Sequence, residues 1–251
     1  MFLKTITGLT VGACALIGGA FAAPVAVDLS TWVQDGNGNW ILAGDSASVL
    51  QTRNSAPTVY HNNQSSQGKA LAGTIKVETS SDDDFIGFVL GYTQGDIDGL
   101  SDTDYILVDW KQGTQGGWDR GMSISRVTGR IQSSGTDTNA DQWDHVGNVE
   151  FLARANTLGS TGWADNTEYN FAIEFTASVI RVTVDGNLEF ELFGSFSDGA
   201  FGFYNFSQPD VRYAGITEEV LPPVPLPAAL PLMAAGLGVV GFARRKAKAA
   251  R

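Results

Sequence analysis

Between residues 24 and 220 no window carries an apolar stripe at helical spacing, whereas short runs of alternating or β-branched residues recur between turn signals. Residues 69–78, 168–175 and 179–184 are such runs, and Asp185-Gly186-Asn187, between Val184 and Leu188, predicts a tight hairpin. Many short strands without helices imply an all-β chain, an antiparallel two-sheet sandwich of the jelly-roll kind. No repeat of solenoid or propeller period competes with that reading. Glycine is abundant, at 30 residues, and charged residues make up only 17% of the chain, which suits one secreted β domain.

One stretch organises the rest. Asp82-Asp83-Asp84 abuts an apolar run through Gly91-Tyr92, an Asp/Gly-rich turn follows, and Tyr105-Ile106-Leu107-Val108-Asp109-Trp110-Lys111-Gln112 returns, so residues 82–112 read as a hairpin with a charged mouth. Three adjacent carboxylates repel one another at neutral pH. An ordered loop carrying them is explained by a cation, and oxygen-only ligands favour calcium, with a solvated acidic turn as the plainer alternative. Asp96, Asp98, Asp102 and Asp104 in the following loop are further candidate ligands. That loop is not an EF-hand, because Gly99 falls at position four and Leu107 stands where a bidentate Glu belongs.

The same residues carry a family resemblance. The Asp-Asp-Asp run, Gly87-Phe88-Val89, Gly91-Tyr92 and Trp110-Lys111-Gln112 are followed in order by Gly162-Trp163, the strand 179–184, Gly202-Phe203-Tyr204-Asn205-Phe206-Ser207-Gln208 and Tyr213-Ala214. Over residues 70–216 this pattern resembles the C-terminal, L-type-lectin-like domain of thrombospondins, a concanavalin-like fold. The resemblance implies bound calcium, with Asp82, Asp83 and Asp84 carried over by direct match. The chain departs from the family in its longer 94–104 loop, in Asn205 where the family has cysteine, and in lacking the acidic repeats that precede the domain, departures that put any carry-over of animal receptor partners in doubt.

Both ends read as export signals. Lys4, the apolar run 6–20 and Ala20-Phe21-Ala22 form a signal peptide cut after Ala22. Cys14, the only cysteine, lies inside it as a plain h-region residue or, less in keeping with the flanks, in a lipoprotein box; the mature chain has no thiol. At the other end a proline-rich linker leads through Val224-Pro225-Leu226-Pro227-Ala228 into an apolar run that ends at Arg244-Arg245-Lys246. Roughly 17 apolar residues are about the shortest span of a bilayer. The basic end would stay cytoplasmic. This order resembles the VPLPA variant of the PEP-CTERM sorting signal, which implies an exosortase-type peptidase as partner and a transient inner-membrane anchor; a permanent anchor is the alternative. The expected organisation is therefore signal peptide 1–22, sandwich 23–219 and sorting tail 220–251.

All 27 acidic residues lie between those signals, against ten basic ones, so the domain repels nucleic acid and anionic membranes and gathers divalent cations. Catalysis lacks a constellation. Glu189 and Glu191 alternate as an acid pair on one strand face would, but the intervening acid of a concanavalin-type glycosidase is missing, and a solvated strand face explains them equally. Two histidines, His61 and His145, support neither a histidine metal site nor a Ser-His-Asp triad. Trp32 and Trp40 flank a Gly/Asn turn and are expected to cap the core rather than stack on sugars. The Gly/Ser/Thr/Asp-rich segment 113–144, with Trp118 and Trp143, reads as long binding loops at one rim. The sequence thus points to an exported, surface-sorted, calcium-binding adhesion or matrix domain without catalytic residues. A carbohydrate-binding module for exopolysaccharide or surface glycan is the first alternative, and a concanavalin-like glycoside hydrolase the second.

Overall fold

A computed structural model describes residues 23–98, 103–129 and 141–222. The signal peptide with Ala22, the Val224 to Ala228 motif with its apolar run, and Asp102 lie outside these residues. Among the described residues no helix is long and apolar enough to cross a membrane. The strands are β1 (Val25–Ala26), β2 (Val33–Gly36), β3 (Trp40–Leu42), β4 (Ser48–Gln51), β5 (Thr58–His61), β6 (Lys69–Val77), β7 (Phe85–Tyr92), β8 (Asp104–Lys111), β9 (Gly121–Thr128), β10 (Val149–Arg154), β11 (Glu168–Phe175), β12 (Val179–Val184), β13 (Asn187–Phe193), β14 (Ala200–Phe206) and β15 (Val211–Val220). Among the described residues one α-helical segment, α1 (Asp141–Asp144), stands between β9 and β10.

Two antiparallel sheets result. One runs β13-β12-β11-β6-β15-β4-β3, with β1 added along β15; the other runs β10-β9-β8-β7-β14-β5-β2. Alternation explains the first: β12 alternates intermediate and buried positions because only its Ile180, Val182 and Val184 side turns inward. β7 differs, with all eight residues buried. Ile86, Phe88 and Leu90 enter the core between the sheets, while Phe85 and Val89 enter a second apolar cluster on the sheet's far face with Leu107, Trp143 and Phe206. A continuous apolar run is what a strand covered on both faces requires.

The expected hairpin at residues 185–186 forms, with Val184 opposite Asn187 and both turn residues at positive φ, 48° for Asp185 and 78° for Gly186. Trp32 stacks on Phe203 at 4.8 Å and Trp40 on Tyr60 at 5.4 Å, so both cap the core as expected. The reading of 113–144 as loops needs correction. It contains β9, which pairs with β8 on one side and the edge strand β10 on the other. Met122 and Ile124 alternate with Ser123 and Ser125, a period of two that the polar composition concealed. Trp143 is likewise buried rather than at a rim.

Candidate metal centre

The hairpin of β7 and β8 forms as read, with Phe85 opposite Lys111 and Leu90 opposite Ile106. Asp82, Asp83 and Asp84 therefore sit at its open end and the 93–103 loop at its closed end. Eight residues at roughly 3.3 Å each separate the two acidic groups, so they cannot share one ion.

At the open end, carboxylate oxygens of Asp82, Asp83 and Asp84 all lie within 4.8 Å of one another. Residues distant in sequence fix this corner. The Asp84 N–H donates to Gln208 Oε1 at 3.0 Å, the Trp163 indole donates to the Asp84 carbonyl at 3.0 Å, and the Gln112 and Gly113 N–H groups donate to the Asp83 carbonyl at 3.1 and 3.2 Å. Gly162 is the condition for Trp163 to reach: a Cβ there would stand 2.1 Å from the Gln112 carbonyl oxygen. Lys111, Gln112, Trp163 and Gln208, four residues of the family pattern distant from one another in sequence, thus meet at this corner.

Two partners were not legible beforehand. Lys111, wholly buried, brings its Nζ within 2.6 Å of Asp84 Oδ1 and above the rings of Phe85 and Trp143. Asn54 donates its amide to Asp82 Oδ2, and its own carbonyl accepts from the Ser207 hydroxyl at 3.1 Å. Lys111 was marked by the Trp-Lys-Gln motif, whereas nothing in the sequence around Asn54 distinguished it. Burial, followed by the Asp84 carboxylate beside it, pushes Asp82 up to about 6. Three hard oxygen donors, one half neutralised by an ammonium, with an amide at the edge, fit calcium; Asp84 keeps its second oxygen free of Lys111.

Two of the closed-end acids, Asp96 and Asp104, are otherwise engaged. Asp104 forms a forked ion pair with Arg126 at 2.7 and 2.8 Å, which holds its carboxyl below the usual range. Asp96 is buried and accepts from the Thr93 N–H at 2.8 Å and the Thr103 hydroxyl at 3.1 Å. Asp98 ends a short 3-10 turn.

Glu189 and Glu191 do not share a face, contrary to the alternation argument. Val182 pairs with Phe190 and Thr183 with Leu188, so Glu189 is the extra residue of a β-bulge. It turns inward, buried, and its carboxylate accepts from the Thr157 and Leu158 N–H groups at 2.8 and 3.1 Å. Glu191 stays outside on Arg181 at 2.8 Å.

A family model described as "Thrombospondin C-terminal region" matches residues 35–220. The chain belongs to this family. Thrombospondin-2 of Bos taurus is 29% identical over 199 residues, covering 72% of the chain and 16% of that protein. Cartilage oligomeric matrix protein of Rattus norvegicus is 25% identical over 199 residues, covering 71% of the chain and 25% of that protein. The chain spans a quarter or less of these relatives' length. Among solved structures, the carbohydrate-binding module CBM66 from Bacillus subtilis superposes with a TM-score of 0.52 at 13% identity, over 75% of the chain and 95% of that structure. The VIP36 exoplasmic/lumenal domain in its Ca2+/mannose-bound form gives 0.51 at 16% identity, over 78% and 85%. At such identities these two share the fold: the thrombospondin C-terminal-like domain of this chain is an antiparallel, lectin-like β-sandwich.

Proposed function

We propose that the chain is an exported, calcium-binding lectin-like domain that acts in adhesion or in an extracellular matrix by holding glycan. The observation that carries the reading is the Asp82-Asp83-Asp84 triad, built by residues of the family pattern into a compact oxygen site. Calcium in a lectin-like domain of the same fold, named for VIP36, and the printed identity of CBM66 as a carbohydrate-binding module support calcium and glycan respectively. In this reading Asp82, Asp83 and Asp84 hold the ion, Asn54 orients Asp82 and Lys111 orients Asp84. The ion would supply charge neutralisation to a corner where three carboxylates crowd. Asp96 and Asp104 serve the fold, since each is satisfied by protein groups. Export by cleavage after Ala22, then processing at Val224-Pro225-Leu226-Pro227-Ala228 by an exosortase-type peptidase, places the domain at the cell surface, where exopolysaccharide is the natural ligand.

Thermal unfolding of chelated protein with and without calcium tests the ion. Binding to the native state alone adds roughly 2.7 kcal/mol at a hundred times the dissociation constant, a rise of a few degrees in Tm. Asp82→Asn combined with Asp84→Asn should remove most of that rise. A wild-type Tm indifferent to calcium would overturn the proposal. The glycosidase alternative has no support from Glu189, whose carboxylate is spent on backbone N–H groups.

A further inference from the structure

The far face of the seven-stranded sheet is largely apolar, and besides the Lys111–Asp84 pair a second polar group interrupts it. In register across the sheet, Ser123 lies opposite Asp109, Asp109 opposite Gly87 and Gly87 opposite Tyr204, so the intervening residue contributes no side chain. One step along, Ser125 and Tyr105 face the same way. Above them sit Gln142 of α1 and His145, which meets Asp109 Oδ2 through Nε2 at 2.8 Å. Tyr105, Ser125, Gln142 and Tyr204 are almost wholly buried; Tyr105 meets the Gln142 amide, while the Tyr204 and Ser125 hydroxyls have no hydrogen-bond partner among the described residues.

Such groups are costly. A buried hydroxyl or amide without a partner is less stable than its apolar isostere, and the surrounding Phe85, Leu107, Trp143 and Phe206 show that apolar side chains fit this face. Groups that break local consistency at a stability cost mark functional positions. Their chemistry selects the ligand. Neutral hydroxyls and an amide offer donors and acceptors beside aromatic rings, which matches the hydroxyl edge and C–H face of a neutral sugar. A lone carboxylate, itself paired with His145, is a poor divalent site, and no cation is directed here for an anion, since Lys111 is committed to Asp84.

The described part of the cover is α1 and the turn after it, and Trp143 seats α1 by edge contacts with Phe85 at 5.3 Å and Phe206 at 5.2 Å. His145 and Gly147 continue it at positive φ, 50° and 62°. We infer that the outer face of the seven-stranded sheet beneath residues 141–148 is a binding subsite for a neutral sugar ring, reached when that cover lifts. The inference rests on the glycan-binding reading and gives it a location beside the carboxylate triad, to which Trp143 of the cover is linked through Lys111.

The test titrates neutral manno-, gluco- and galacto-oligosaccharides into the full purified protein by calorimetry, with Tm measured alongside, for wild type, Tyr204→Phe and Ser125→Ala. The expected result is affinity lowered tenfold or more in each variant, with Tm unchanged or raised. Wild type binding none of the sugars would overturn the glycan reading and the subsite together. Sugar bound equally by wild type and variants would overturn the subsite alone. A fall in Tm in the variants, with or without loss of binding, would show the hydroxyls to be structural and also overturn it.

Discussion

Asp82 illustrates how one carboxyl can report its own site. Its folded pKa of about 6 stands above the ordinary 3.8 because burial and the neighbouring Asp84 disfavour its charge. The native state therefore holds this proton to higher pH than the unfolded chain, so the contribution is present below about pH 4 and is lost as pH rises through 6. Metal-free protein is expected to lose stability across that window. Calcium needs the ionised carboxylate, so its stabilising effect should grow over the same window and fade on acidification. Urea titrations at pH 4 to 7, with chelator or calcium, check both slopes, and Asp82→Asn should flatten them. Glu189 and Glu191 offer a second contrast at this scale. Glu189→Gln presents an amide to two backbone donors and should cost about 1–2 kcal/mol, while Glu191→Gln, on an exposed ion pair, should stay under about 0.5 kcal/mol. Equal effects in denaturant melts would mean that the bulge does not order the 156–158 loop.

Among elements, the β7–β8 hairpin was legible almost to the residue because its two apolar runs flank a dense turn signal. Its orientation was legible too, but the consequence, that the two acidic groups occupy opposite ends, follows only once strand length is converted into distance. The bulge in β13 was not legible: alternation is a rule for unbroken ladders, and nothing in Leu188-Glu189-Phe190 announces the extra residue. β9 was hidden by composition, since its serines face a second covered surface that a single-sided sandwich would lack. The connection carrying Gly162 ties these elements together. Gly162→Ala would press a methyl group into the Gln112 carbonyl and displace the Trp163 indole from Asp84, with an expected loss of about 2 kcal/mol or more and weaker calcium binding. Unchanged Tm and calcium affinity would separate the Trp163 contact from the site.

At the scale of the molecule, the acidic sandwich is expected to leave its tail behind. Mass spectrometry of surface protein should find a C-terminus upstream of Arg244, and an intact Arg251 would favour a permanent anchor. Sequence alone determined that the chain is a two-sheet antiparallel sandwich of the thrombospondin C-terminal kind, because strand periodicity, turn residues and ordered motif spacing are local properties that survive without coordinates. It also marked Asp82, Asp83 and Asp84, whose adjacency needs no folding to be seen. What the tertiary structure decided is which groups meet across the chain. Lys111 beside Asp84, Asn54 beside Asp82, Glu189 turned inward, and four polar side chains from three strands and a helical turn gathered under one cover are all long-range pairings. Burial and register create them, and neither is a property of any short segment.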